Sequence, residues 1–520
     1  MTRSHSGRWL AVVALVPALL AVGFDATILN LALPELATGL HASSLQLQWF
    51  ISGYTLVFAA AMIPGGMMGD RFGRKKVQLI ALTLFGLSSL ACAYASNSGE
   101  FIGMRAITGL GAAAVLPMVL GVIPALFEEA ERPKAVAVVM TATTLGFPIG
   151  PILGGYLLTH FWWGSVFLIN LPVVAIAMLG VFLLTPETRS SKPKRFDPLG
   201  IATSSLGLAA LVYGVIEAGT YGWSDVLALT PIALGVLVLG AFVWWESRVP
   251  EPLVDLALFA SRGFTWGTLL STSVNFVMFG MLFVLPQYFQ AVLGTDAMGS
   301  GFRLLPLVGG LLVGAGIADR LAKAMGAKAT IGVGFAILAG GLLLGATTKA
   351  DSTNGLVMLW TTICGVGLGF AMPAAMSAAI DPLSEENSGV GSGVIQAVRM
   401  VGGSFGSALL GSLLYSGYRS RLTLGGLPPQ AAAAIRESQV AGLDLAARLH
   451  LPGLAAEIEA AFTHGMDQVL AVCGGLAALG AVLGVLFIPN RVSKPAGSGP
   501  EDARVDVTDV TDSGAGPARA

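Results

Sequence analysis

Charged residues are scarce in this sequence. Asp, Glu, Lys and Arg make up 11% of its 520 residues, whereas 54% of the residues are hydrophobic. A soluble domain could not bury that much apolar surface. The formal net charge is −1, so the chain has no excess of basic residues of the kind that is typical of proteins that bind nucleic acids. The composition therefore predicts a protein embedded in a lipid bilayer, without a nucleic-acid partner.

Cysteine and histidine are rare as well. The three cysteines, Cys92, Cys364 and Cys473, lie far apart inside apolar runs. This placement is typical of small core residues and not of a disulfide framework or a metal site. The sequence contains neither the metalloprotease pattern H-E-x-x-H nor the nucleotide-binding pattern G-x-x-x-x-G-K-[ST]. We therefore expect no catalytic residues, no metal and no bound cofactor.

Apolar runs of about 20 residues, the length that spans a bilayer, recur throughout the chain. They predict an all-α polytopic membrane protein with fourteen transmembrane helices. The predicted spans are residues 9–33, 47–69, 77–96, 101–127, 135–159, 163–185, 198–218, 227–246, 264–292, 299–321, 329–348, 355–380, 389–417 and 464–488. An even number of spans places both termini on the same side of the membrane.

The distribution of basic residues indicates which side that is. The loops on the side of the termini carry most of the lysines and arginines, with a cluster at Arg71, Arg74, Lys75 and Lys76. The short loops on the opposite side carry essentially only Lys349. Because lysine and arginine are enriched in cytoplasmic loops, we predict that both termini are cytoplasmic and that the protein lies in the cell membrane.

Polar stretches divide the chain into units. The predicted units are an N-terminal six-helix bundle at 9–185, a linker region with two extra transmembrane helices at 186–263, a C-terminal six-helix bundle at 264–488 and a disordered cytoplasmic tail at 489–520. Loop 418–463 lies within the C-terminal unit. Its amphipathic spacing, interrupted by prolines, predicts short helices on the outer face.

One hairpin between spans 2 and 3 concentrates glycine and charge. It reads Gly-Met-Met-Gly-Asp-Arg-Phe-Gly-Arg-Lys-Lys over residues 66–76. Its glycines permit a tight turn, and the Asp70 carboxylate can pair with Arg71, Arg74 or the first amides of the next helix. The residues expected to form a conformational contact here are Gly66, Asp70, Arg71, Gly73 and Arg74. A weaker copy at 314–328 indicates that the two bundles are related repeats.

Two charges lie deep in the predicted bundle. A rise of 1.5 Å per residue places Asp25 of span 1 and Arg105 of span 4 at similar depth, so that a buried pair is feasible. A carboxylate inside a membrane helix is costly and is a functional candidate for that reason, although pairing for structure alone is the alternative. A proton that exchanges on Asp25 beside a fixed cation would make a titratable switch.

Other spans carry further candidates. Span 5 contains closely spaced small residues and proline, namely Gly146, Gly150, Pro151, Gly154 and Gly155. These residues permit close helix contact, and plain packing explains them as well as a special role does. Polar and aromatic side chains at interior positions could line a substrate cavity; the candidates are Asn30, Tyr54, Asn275, Gln287, Gln396 and Arg399. A polar side chain in such a place is more often an interhelical hydrogen-bond partner than a ligand contact.

Together these stretches resemble the fourteen-helix drug:proton antiporter family of the major facilitator superfamily. The likeness covers about residues 10–490. The Asp70 hairpin is similar to the loop signature G-x-x-x-D-R-x-G-R-K, and the Gly146–Gly155 stretch is similar to the antiporter motif G-x-x-x-G-P-x-x-G-G. The segments around Asp25 and Arg105 are similar to the family motifs of spans 1 and 4.

The sequence departs from the family pattern at three positions. Thr108 stands where the family usually has Gln, and Gly164 and Ser165 stand where it often has Arg and Trp.

The resemblance implies two six-helix bundles that work by alternating access as a monomer. It also implies that the proton gradient drives export of small amphipathic compounds such as antibiotics.

Other functions remain open at this point. Within the superfamily, the main alternative is a carrier for a metabolite or a sugar, which could import its substrate. A membrane-embedded enzyme and a membrane sensor are alternatives from other classes. The lack of a catalytic constellation counts against the enzyme, and the small size of the soluble segments counts against the sensor.

Overall fold

The computed structural model describes residues 5–128, 131–189, 197–383, 385–424 and 427–489. Within these ranges the chain is helical and has no β-strand, which confirms the all-α prediction. The helices are α1 (His5–Gly39), α2 (Ser44–Phe72), α3 (Arg74–Ala93), α4 (Ser98–Leu126), α5 (Arg132–His160), α6 (Ser165–Leu168), α7 (Asn170–Leu184), α8 (Pro198–Tyr221), α9 (Val226–Glu246), α10 (Arg262–Ala291), α11 (Ala297–Met325), α12 (Ala327–Gly345), α13 (Asn354–Ile380), α14 (Glu385–Arg421), α15 (Pro429–Glu437), α16 (Gln439–Arg448) and α17 (Pro452–Phe487). A 3₁₀ helix, Leu256–Ala260, precedes α10.

The long helices coincide with the predicted spans. Within the described residues, thirteen helical segments are long and apolar enough to cross a membrane. The span predicted at 135–159 falls on α5, a helix of 29 residues, and the span predicted at 163–185 falls on the consecutive helices α6 and α7. The chain is therefore a multi-pass membrane protein. Because the spans alternate in direction, the start of α1 and the end of α17 lie on one face, here called the terminal face; the opposite one is the distal face.

Helices pack in two groups with a pair beside them. Helices α1–α7, here called the first half, pack mainly against one another, and α10–α17, the second half, do the same. Helices α8 and α9 pack together, and α8 also contacts α2 and α14. The two halves meet where α2 packs against α14 and where α5 packs against α11. The exact limits of the predicted units stay a prediction.

The halves are fastened to each other near the distal face. Hydrogen bonds between the halves join Ser412 Oγ to Gln48 Oε1 over 3.2 Å, Ser52 Oγ to Ser407 Oγ over 3.2 Å and Gln290 Nε2 to the Leu31 carbonyl over 2.9 Å. One buried apolar cluster also takes residues from both halves, including Phe50 and Phe101 of the first and Phe283 and Phe289 of the second. We call this region the distal seal.

Two short helices cover the distal seal. The helices predicted within 418–463 are α15 and α16, and the ends of two long helices also enter this segment, since α14 continues to Arg421 and α17 begins at Pro452. A helix can extend beyond the hydrocarbon layer into water, where charged side chains no longer oppose it. The Ser44 hydroxyl donates to the Glu437 carbonyl, so α2 of the first half contacts α15. The tail predicted at 489–520 lies, apart from Pro489, outside the described residues.

The orientation predicted from the basic loops can be tested with two exposed positions. In a background without the three native cysteines, Lys76→Cys lies on the terminal face and Ala434→Cys on the distal face, and both side chains are exposed. A membrane-impermeant maleimide should label Ala434→Cys in intact cells, and Lys76→Cys only after the cells are permeabilised. The reverse labelling pattern would place the termini outside.

Candidate functional site

The two deep charges of spans 1 and 4 form an ion pair. Arg105 Nη1 donates to Asp25 Oδ2 over 2.8 Å, and the side chains are 1% and 0% exposed, respectively. An isolated charge in such a place would cost several kcal/mol of desolvation. Each residue is therefore compatible with the bundle because the other one neutralises it.

The second carboxylate oxygen of Asp25 is also satisfied. Asn170 Nδ2 donates to Asp25 Oδ1 over 3.0 Å and to Ser89 Oγ over 2.7 Å. Asn170 is the first residue of α7, so the break between α6 and α7 brings its amide to this depth. Sequence reasoning did not place Asn170 in the site. The available signal was an amide side chain inside an otherwise apolar span.

Arg105 has two further neighbours on α2. Its Nε donates to the Phe50 carbonyl over 3.4 Å, and its guanidinium carbon lies 4.2 Å from the centre of the Tyr54 ring. Stacking on an aromatic face stabilises a desolvated cation. Tyr54, predicted as a cavity residue, is thus part of the surroundings of the ion pair, where α1, α2, α3, α4 and α7 meet.

The hairpin between α2 and α3 is fastened to α4 by its acid and one of its bases. Asp70 Oδ1 accepts from Arg74 Nε over 3.1 Å and from Nη2 over 2.6 Å, and Arg74 Nη1 donates to the Gly121 carbonyl over 2.6 Å. A Cβ at Gly121 would lie 2.5 Å from Arg74 Nε, so a larger residue there would displace the Arg74 side chain. Of the partners considered for Asp70, the structure selects Arg74.

The other residues of the hairpin shape the turn. Gly73 has a φ of 110°, a conformation that favours glycine. The backbone N–H of Arg74 donates to the Thr188 carbonyl over 2.9 Å, and that of Lys75 donates to Glu187 Oε1 over 3.2 Å, which ties the turn to the chain after α7. Gly66 faces α4, whereas Arg71 is exposed. All these contacts lie within the first half, so they hold the hairpin to one rigid group of helices.

The small residues of α5 face two different partners. A Cβ at Gly146 would lie 2.8 Å from the Gly23 Cα, and a Cβ at Gly150 would lie 3.0 Å from the Phe24 carbonyl oxygen. Gly154 meets the Ile28 side chain in the same way. This face of α5 therefore packs directly against the turns of α1 on both sides of Asp25.

The adjacent face of α5 contacts the second half. A Cβ at Gly155 would lie 2.9 Å from the Met298 Cα on α11, and a Cβ at Gly301 of α11 would lie 2.5 Å from the Pro151 carbonyl oxygen. Close contact of this kind needs small residues on the facing helices. Helix α5 thus links the helix that carries Asp25 to the other half of the molecule.

The predicted cavity residues do not form one group. Asn30 donates to the Ala26 carbonyl of its own helix over 3.2 Å. Gln287 lies in the distal seal, where its Oε1 accepts from Tyr415 Oη over 2.9 Å. Both side chains are buried, and in this conformation neither faces an open cavity.

The remaining three cavity candidates lie together in the second half. Asn275 of α10 donates through Nδ2 to the Arg399 carbonyl of α14 over 2.7 Å. The Arg399 guanidinium donates through Nη1 to Gln396 Oε1, one turn earlier on the same helix. These residues form a small polar group between α10 and α14.

A sequence profile described as Major Facilitator Superfamily matches residues 15–407. The chain belongs to the major facilitator superfamily. Over 95% of its length it is 32% identical to the tetracenomycin C resistance and export protein of Streptomyces glaucescens, covering 94% of that protein. It is 29% identical to the multidrug efflux pump LfrA of Mycolicibacterium smegmatis, with 94% of this chain and 97% of that protein covered. It is 33% identical to the puromycin resistance protein pur8 of Streptomyces alboniger, with 78% and 82% covered.

Solved structures have the same fold. A bacterial homologue of the human lysosomal transporter Spinster superposes with a TM-score of 0.69 at 16% identity, covering 93% of this chain and 97% of that one. A D-xylose–proton symporter superposes with a TM-score of 0.61 at 15% identity, covering 93% and 98%. The two halves described above thus have the major facilitator architecture.

The fastening of the hairpin predicts a defect in turnover. Asp70→Asn removes the charge that Arg74 binds, and charge-assisted hydrogen bonds are about twice as strong as neutral ones. We expect transport to slow by about tenfold, or ~1.4 kcal/mol, while substrate affinity is retained, because the hairpin lies at the helix ends. Rates and affinities of purified protein would be compared with those of Asp444→Asn, which breaks an exposed pair with Arg448 of the same spacing. Equal rates for both variants would remove this role of Asp70.

The close contact between α1 and α5 predicts a defect in stability. Gly150→Ala places a methyl group against the Phe24 carbonyl, so a helix must shift, and overpacking of this kind costs about 1–3 kcal/mol. We expect a lower Tm in detergent and slower transport. Gly340→Ala is the matched control, because a Cβ there meets no atom within 4 Å. If both variants unfold at the same temperature, the contact is looser than described.

Proposed function

We propose that the protein is a proton-coupled exporter of small amphipathic organic compounds, antibiotics among them. The main observation behind this proposal is the Asp25–Arg105 pair, which is fully buried and joined through α5 to the second half of the molecule. The names of its relatives support the substrate class, since they describe resistance to and export of tetracenomycin C, multidrug efflux and puromycin resistance.

Protonation of Asp25 would change the force that holds its surroundings together. The ionised carboxylate accepts hydrogen bonds from Arg105 and Asn170, on helices α4 and α7. The neutral acid binds Arg105 less strongly, and one of its oxygens carries a proton that needs an acceptor. Movement of α1 is transmitted through the Gly146, Gly150 and Gly154 face to α5. Because α5 also contacts α11, a proton on Asp25 shifts the balance between two arrangements of the halves.

Coupling requires that the proton and the drug favour opposite arrangements. A ligand shifts such an equilibrium only by its different affinity for the two states. In the described conformation the distal seal joins the halves, which we assign to the state open to the cytoplasm. Drug would enter there, and protonation from outside would follow release of the drug on the distal side.

The remaining properties follow from this function. The protein carries its substrate unchanged, without catalysis, metal or cofactor, and takes its energy from the proton gradient across the cell membrane. We propose that one chain in the bilayer suffices, because the pathway lies between the two halves of the same chain. An importer of a metabolite or a sugar is the alternative, and it is disfavoured by the names of the relatives.

Substitutions in the ion pair test the proton coupling. Asp25→Asn keeps the shape of the side chain and can accept one of the two hydrogen bonds described above, but it cannot exchange a proton. We therefore expect normal membrane insertion and a loss of transport driven by an imposed pH gradient in proteoliposomes. Arg105→Lys retains the charge but not the second donor to Phe50, and we expect weak coupling. Asp467→Asn serves as the control, because Asp467 is a half-buried acid on α17, away from the pair.

The results of these experiments would distinguish a proton carrier at Asp25 from a proton carrier elsewhere in the chain. Full pH-driven transport by Asp25→Asn would rule out Asp25 as the proton carrier, and the carrier would then have to be sought among other acids such as Glu217. Loss of coupling with Asp467→Asn but not with Asp25→Asn would place the carrier in the second half.

A further inference from the structure

A second buried arginine lies in the second half, on α14. The Arg399 side chain is 6% exposed. Its Nη1 donates to Gln396 Oε1, while its Nε is buried without a hydrogen-bond partner. No ion pair between described side chains includes Arg399. A guanidinium carries five N–H donors. The one acceptor described here, a neutral amide oxygen, binds one of them and does not neutralise the positive charge.

The contrast with Arg105 shows that this state is costly. Arg105 is also buried, but a carboxylate at 2.8 Å neutralises it and a tyrosine ring lies against it. A buried charge without a partner costs far more than a paired one. A cation kept in this state is therefore expected to have a partner that is absent from the chain itself.

A path leads to Arg399 along one side of α14. Gly393, Gln396 and Met400, spaced by three and four residues, are partly exposed, and the space beside Gly393 is open. Met400 packs against the first-half cluster that contains Tyr54 and Phe58. This side of α14 therefore follows the boundary between the halves from Gly393 to the depth of Arg399.

We propose that Arg399 binds an acidic group of the transported compound, a carboxylate or an ionised phenol. The inference rests on the proposed function, since it assumes that small amphipathic compounds enter between the halves. An entering anion replaces Gln396 Oε1 on the guanidinium and accepts from the free Nε as well. A planar guanidinium binds a carboxylate through two parallel hydrogen bonds, so the site selects anionic over neutral forms of the same molecule.

The test compares two probes of equal shape. Binding of 9-anthracenecarboxylate and of its methyl ester to the purified full-length protein is measured by fluorescence. We expect the wild-type protein to bind the anion at least about tenfold more tightly than the ester, or ~1.4 kcal/mol. Arg399→Gln should lose this preference through weaker anion binding, with ester binding unchanged. Arg399→Lys should keep part of it, and the partly exposed Arg303→Gln on α11 should keep all of it.

Two further readouts separate a binding role from a structural one. Because an unpaired buried cation is costly, Arg399→Gln should have a Tm equal to or above that of the wild-type protein. Gln396→Leu removes the internal partner of the guanidinium, so it should tighten anion binding and leave ester binding unchanged. This second variant keeps the test decisive even if Arg399→Gln cannot be purified.

Several results would overturn the inference. It fails if the wild-type protein binds the ester as tightly as the anion, or binds neither probe. It also fails if Arg399→Gln weakens both probes equally and lowers the Tm, because Arg399 would then be structural. The proposed function is decided separately by pH-driven transport, so a protein that transports but shows no preference for the anion loses only this inference.

Discussion

The cost of burying charge in an apolar bundle is the constraint on which the first half depends. Asp25 is tolerated because Arg105 faces it at the same depth, and Arg105 is tolerated because α2 offers it a carbonyl and an aromatic ring. Asn170 completes the set from α7. The hydrogen bonds and the ion pair of this one carboxylate therefore fix the relative positions of several helices. A change in its charge would alter the contacts of all of them.

Small residues on α5 connect this arrangement of helices to the second half of the molecule. Helix α5 approaches α1 so closely that backbone atoms meet at Gly146 and Gly150, and it meets α11 equally closely at Gly155. Surfaces packed in this way cannot deform gradually, since each displacement must move a whole helix. The hairpin around Asp70 adds to this rigidity by joining α2, α3 and α4 at their ends. The first half can then move as one body against the second.

Much of the fold and part of the candidate site could be predicted from the sequence. The spans followed from apolar run lengths, and the shared depth of Asp25 and Arg105 followed from the rise of a helix. Depth alone could not say which way a side chain faces. Gln287 was for that reason grouped with Arg399, although it lies in the distal seal, and Tyr54 was assigned to a cavity. Asn170 depends on a local helix break that run lengths do not show.

The chemical groups of the distal seal also determine how its contacts respond to pH and salt. Its hydrogen bonds join serine, glutamine and tyrosine side chains to one another and to a backbone carbonyl, and its buried cluster of apolar residues comes from both halves. None of these groups titrates near neutral pH, and none gains or loses strength through screening by ions. The named hydrogen bonds and apolar contacts of the distal seal therefore keep their strength when pH or salt changes near neutrality, whereas the buried contact between Asp25 and Arg105 depends on charge.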